Sequence, residues 1–145
     1  MAHEVRTEPC ATAARAAPPG KMTYEAFLTW ADEDTWAEWV NGEVIILPPA
    51  SRRHQDVATF LAALLRFFVE SRQLCLVLTA PFQMKIGPDL PGREPDILFI
   101  AREHLDRLRD TYLEGPADLV VEIISRDSRA RDRGEKFYEY EQAGV

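Results

Sequence analysis

Two short apolar runs constrain this chain more than any other feature, because each carries a carboxylate at its edge. They are Pro95-Asp96-Ile97-Leu98-Phe99-Ile100 and Asp118-Leu119-Val120-Val121-Glu122-Ile123-Ile124. Runs of this length, rich in Val, Ile and Leu, read as largely buried strands. A carboxylate placed there must be paired, protonated or bound to a cation to offset its lost hydration. Side chains at i and i+2 share a strand face, so Glu122 is expected to point with Val120 and Ile124, and Asp96 with Leu98 and Ile100. If the two strands are neighbours, the acids converge. Their hard oxygens suit Mg²⁺ or Mn²⁺, whereas zinc would want His or Cys, and His3, His54 and His104 form no ligand-spaced pair. The backbone carbonyl of Ile123 is a further candidate ligand. Two structural alternatives stand beside the metal reading: Asp96, after Pro95, capping a turn, and Glu122 pairing with an arginine from 126–133.

The chain has 145 residues, 46% of them hydrophobic and 28% charged, which fits one globular domain with a substantial core. Its net charge of −7 argues against a simple nucleic-acid binder, since DNA would need a local basic patch or metal ions in a cleft. Cys10 and Cys75 belong to no CxxC and read as structural or incidental thiols. The longest apolar windows are broken by Arg66, Glu70 and Arg72, well short of the roughly 20 residues that span a bilayer. Residues 1–20 are Ala/Pro-rich, lack the apolar core of a secretory signal, and are expected to form a disordered leader. A cytoplasmic protein follows by default, with a single domain over 21–145.

Along that domain, Thr23 can cap a short helix carrying Tyr24, Phe27 and Leu28. Asn41-Gly42 joins two strand-like runs and predicts a β-hairpin, because both central residues of a type I′ turn need positive φ. Ser51 is an N-cap for the clearest amphipathic helix, with Val57, Phe60, Leu61, Leu64, Leu65 and Phe68 at helical spacing. Leu74–Ala80 and Phe82–Ile86 read as strands, Gly87 to Gly92 as a turn, and Arg102 to Arg109 as a short surface helix. Asp118–Ile124 is expected to be a central strand, and a last helix to start near Ser128 and carry Lys136, Phe137 and Tyr140. The pattern is α/β or α+β, a mixed β-sheet flanked by helices with an N-terminal hairpin. Neither GxGxxG nor GxxxxGK[ST] occurs, which removes the usual warrants for nucleotide binding.

Five segments in order then carry a resemblance: Glu38-Trp39-Val40-Asn41-Gly42-Glu43; Pro49 to His54; Glu94-Pro95-Asp96-Ile97; Asp118 to Ser125; and Asp132 to Phe137 with Tyr140. Over about residues 22–145 the chain resembles the Uma2 family of bacterial proteins, placed in the PD-(D/E)XK restriction-endonuclease-like superfamily. The resemblance implies a Mg²⁺-dependent phosphodiesterase site. In it Asp96 matches the PD aspartate, Glu122 the acid of the (D/E)XK strand, and Glu38 the acid from the N-terminal part of the fold. The superfamily lysine belongs two residues after the second acid, where this chain has Ile124. Lys136 matches the lysine of the family's own downstream motif and can reach into that place; Tyr140, one turn on, would line the same face.

Each of these residues also has an ordinary structural reading. Lys136 can pair in water with Asp132 at i−4, His54 can be a satisfied surface or interface histidine, and Tyr24, Trp30, Trp36 and Trp39 are expected mostly in the core. The run Arg126, Arg129, Arg131 and Arg133 is mildly basic and can meet phosphates or start a solvated helix. Family members usually continue past Gly144-Val145, so the domain is expected either to be C-terminally truncated or to complete its sheet through a partner, an unpaired edge strand favouring a homodimer. The leading expectation is a DNA endonuclease. Its rivals are a weakened nuclease-fold scaffold that dimerises or binds nucleic acid and, further off, a metal-free glycosidase with Asp96 and Glu122 as acid and base.

Overall fold

The computed structural model describes residues 16–32, 34–124 and 134–145, so the leader up to residue 15, the expected helix start near Ser128 and the arginine run lie outside the described residues. Helix α1 (Tyr24–Trp30) is capped by Thr23, whose side chain accepts the Ala26 N–H. Strands β1 (Ala37–Val40) and β2 (Glu43–Ile46) then pair antiparallel about Asn41 and Gly42, both at positive φ as a type I′ turn demands. Helix α2 (Arg52–Ser71) follows, capped by Ser51. After it come β3 (Cys75–Thr79), β4 (Gln83–Lys85), β5 (Gly92–Arg93) and β6 (Ile97–Ala101), then a 3₁₀ stretch at Arg102–Arg107. Strands β7 (Tyr112–Glu114) and β8 (Leu119–Val121) and helix α3 (Lys136–Ala143) complete the described elements.

The strands form two sheets. The first has the order β2-β1-β5-β4-β7 and is mixed, since β4 and β7 run parallel and the other neighbours antiparallel. The second is antiparallel, in the order β3-β6-β8. Asp96's strand is therefore the middle one, while β8, expected to be central, lies at an edge among the described residues.

Alternation along the strands sorts side chains into three packed layers. On one face of the first sheet, Ala37 and Trp39 meet Tyr24 and Phe27 of α1. On its other face, Met84 and Leu113 pack against Leu98 and Ile100 of the second sheet and Tyr140 of α3. The far side of the second sheet presents Val77 and Ile97 to Ala62 and Val69 of α2. The apolar arc of α2 is broader than this three-stranded surface can cover. Leu61 and Leu65 reach the core, but Val57, Phe60, Leu64 and Phe68, expected inside, face outward. No helix among the described residues is long and apolar enough to cross a membrane.

Candidate functional site

The register of β6 and β8 brings the two acids together. Ile97 stands opposite Val121 and Leu98 opposite Val120. One step further, just outside both strands, Asp96 stands opposite Glu122, where directly facing residues have Cβ atoms about 5 Å apart on one face of the sheet. Asp96 closes the junction itself: its Oδ2 accepts the Ile123 N–H at 2.6 Å, and its Oδ1 lies 3.1 Å from His54 Nε2, carried by the first turn of α2. The His54 Nδ1 is buried with no hydrogen-bond partner among the described residues.

Glu122 meets α3. Its Oε1 accepts from Lys136 Nζ at 2.9 Å and from the Tyr140 hydroxyl at 2.6 Å, the i and i+4 positions of one helical face. The Lys136 ammonium also lies 2.8 Å from Glu38 Oε1, so it joins β1 of the first sheet to the end of β8 in the second. Burial pushes the Glu122 carboxyl up to about 7, against the pull of Lys136 and Tyr140 and with a further push from Asp96. Burial also works to lower the Lys136 ammonium, but Glu122 and Glu38 outweigh it and hold its pKa above the usual lysine value. Tyr140 is raised by burial and by Glu122, so it stays a neutral donor.

Arg93 completes this cluster. It is fully buried; its Nη1 donates to Glu38 Oε2 at 3.0 Å, and its Nε and Nη2 form a two-pronged pair with Glu139 of α3, both at 2.7 Å. Burial favours loss of its proton, but Glu139 and Glu38 hold the guanidinium charged. The neighbouring Glu94 is buried too. Its N–H donates to Glu38 Oε1, and its own Oε2 accepts from Gln83 Nε2 at 2.9 Å, while burial and the Glu38 charge push its pKa up to about 8.

The sequence pattern of Uma2, described as a putative restriction endonuclease, matches residues 24–145. The chain belongs to the Uma2 family. A crystal structure described as a putative nuclease belonging to DUF820, from Anabaena variabilis ATCC 29413, superposes with a TM-score of 0.70. It shares 16% identity over 86% of this chain and 70% of that one, a likeness of fold. No curated protein matches the chain.

In this Uma2 chain, Glu38, Glu122, Lys136 and Tyr140 are brought into one bonded cluster, with Asp96, His54 and Ile123 at its border. Among the described residues no three His, Cys, Asp or Glu side chains converge as a ready metal cage. The donor set still fits a hard dication. Asp96 and Glu122 face and repel one another, and Mg²⁺ commonly takes one or two carboxylates while completing its shell with water and substrate oxygens. Reading the sequence missed Arg93 and Glu139. The available signal was Arg93 itself, a guanidinium directly before the Glu94-Pro95-Asp96 segment in a chain rich in acids.

Proposed function

We propose that this Uma2 chain is a Mg²⁺- or Mn²⁺-dependent endonuclease that hydrolyses DNA phosphodiester bonds in the cytoplasm. The observation that carries the reading is Asp96 facing Glu122 across the β6–β8 register, with Lys136 bonded to Glu122. Asp96, Glu122 and the Ile123 carbonyl would hold the ion. When bound, such an ion lowers the pKa of water and screens phosphate charge, which offsets the protein's own acidity.

The protein groups have separable tasks. Lys136 keeps Glu122 oriented and supplies positive charge beside the place where a phosphate would gain negative charge. Glu38 and Arg93 hold the ammonium and α3 in position from behind. Tyr140 donates to Glu122 and closes the apolar side of the cluster. His54, 3.1 Å from Asp96, orients that carboxylate from the α2 side.

The test is cleavage of supercoiled and linear DNA with Mg²⁺ or Mn²⁺. Asp96→Asn and Glu122→Gln are each expected to lower cutting by about a hundredfold or more, with circular dichroism unchanged and the ion's thermal stabilisation lost. Equal cutting by wild type and Asp96→Asn would sink the proposal. A second reading, a nuclease-fold scaffold that binds without cutting, is favoured by Ile124 standing at the superfamily lysine position and by Lys136 being held between two carboxylates. It expects DNA retention with no cleavage under any divalent ion.

A further inference from the structure

Val57, Phe60, Leu64 and Phe67 recur at spacings of three and four and form one stripe along α2. Phe60 and Phe67 are 67% and 75% exposed, and Leu64 is 54% exposed. Phe68 flanks the stripe, with the Arg72 guanidinium 4.1 Å above its ring. A phenylalanine side chain presents roughly 200 Å², so the open parts of these residues form a strip of roughly 500 Å². That lies at the upper end of what a monomer leaves in water, where a functional surface is the ordinary explanation.

We propose that this stripe is a homodimer interface in which α2 of one copy packs on α2 of a second copy about a two-fold axis. The area favours a second copy. A two-fold contact uses the same patch twice and removes roughly 1,000 Å² in total, the size at which specific interfaces begin. The shape agrees, because Val57 to Phe68 is a straight edge of roughly 17 Å that fits between the ridges of another helix. A lipid surface fits poorly. The chain carries a net charge of −7, which anionic headgroups repel, and Arg66 is already paired with Glu70 on the same helix. Like charge on two copies opposes their approach until salt screens it, so association tightens as ionic strength rises. The interface is independent of the chemistry proposed above.

Sedimentation equilibrium of the full chain across roughly 1–100 µM tests the interface. The wild type is expected to pass from monomer to dimer, more completely at high salt. Phe60→Glu with Phe67→Glu is expected to weaken association about thirtyfold or more, the loss typical of central aromatic contacts, and Leu64→Gln to weaken it less. These side chains already face water, so the helical circular dichroism should persist in both variants. A wild type that stays monomeric at every concentration and salt overturns the proposal. So does a dimer of undiminished strength in the double variant, as pairing through β8, an edge strand among the described residues, would give.

Discussion

The two faces of β1 and β5 hold opposite kinds of core. On one face Trp39 and Gly92 lie under Tyr24, with Trp39 and Tyr24 in an edge contact at 5.6 Å and the Trp39 indole donating to the Met22 carbonyl at 2.9 Å. On the other, one residue along each strand, Glu38 and Arg93 form a fully buried ion pair that reaches Lys136 and Glu139. The aromatic face depends on shape and tolerates small losses by relaxing. The charged face depends on count, because every buried charge there is balanced by another and removing one strands its partner. A single step in a strand thus separates a region that can be repacked from one that must be kept whole.

Three substitutions probe that contrast. Arg93→Met should have the largest effect, lowering stability to urea by about 3–5 kcal/mol, since Glu38 and Glu139 then lose their buried cation. A loss below about 1 kcal/mol would mean that the charged face is no more demanding than the aromatic one. Gly92→Ala tests the aromatic side: a Cβ there would collide with the Tyr24 ring, and about 1–3 kcal/mol is expected, with the Tyr24 near-ultraviolet signal altered.

The smallest effect at acidic pH belongs to Glu94→Gln, and it grows as the pH rises. Glu94 has its pKa raised from 4.5 to about 8, first by burial and then by Glu38. A carboxyl with a raised folded pKa leaves stability intact below its unfolded value and reduces it as pH climbs between the two values. Wild type should therefore lose stability from pH 4.5 towards 8, while Glu94→Gln stays level, so the margin between them widens steadily across that interval. Parallel pH profiles for the two proteins would show that Glu94 is ionised in the fold.

Local chemistry explains why parts of this arrangement were legible in advance. Asn41-Gly42, the Thr23 and Ser51 caps and the apolar runs before Ile100 and after Asp118 each carry their own backbone preference, so the hairpin, two helix starts and the acid-bearing strands follow from neighbours in sequence. The cluster around Lys136 followed from motif order, because spacing alone favours a solvated lysine paired with Asp132. The burial of Arg93 and Glu94 was not legible. Gly92-Arg93 makes a strand of only two residues, too short for any periodicity, and the burial of its guanidinium is decided by Glu38 and Glu139, which lie 55 and 46 positions away. The outward stripe of α2 was missed for a related reason. Periodicity reports which residues share a helix side, whereas the width of the surface beneath them is set by the number of strands there.

Lys136 bridging Glu38 and Glu122 also imposes an order on biosynthesis. Both acids leave the ribosome before the ammonium, so in a nascent chain Glu38 can meet Arg93 alone and Glu122 has no lysine beside it until α3 has emerged and docked. Translation itself then acts as a safety catch: a half-made or clipped product keeps the acids but lacks the cation that binds the two sheets together.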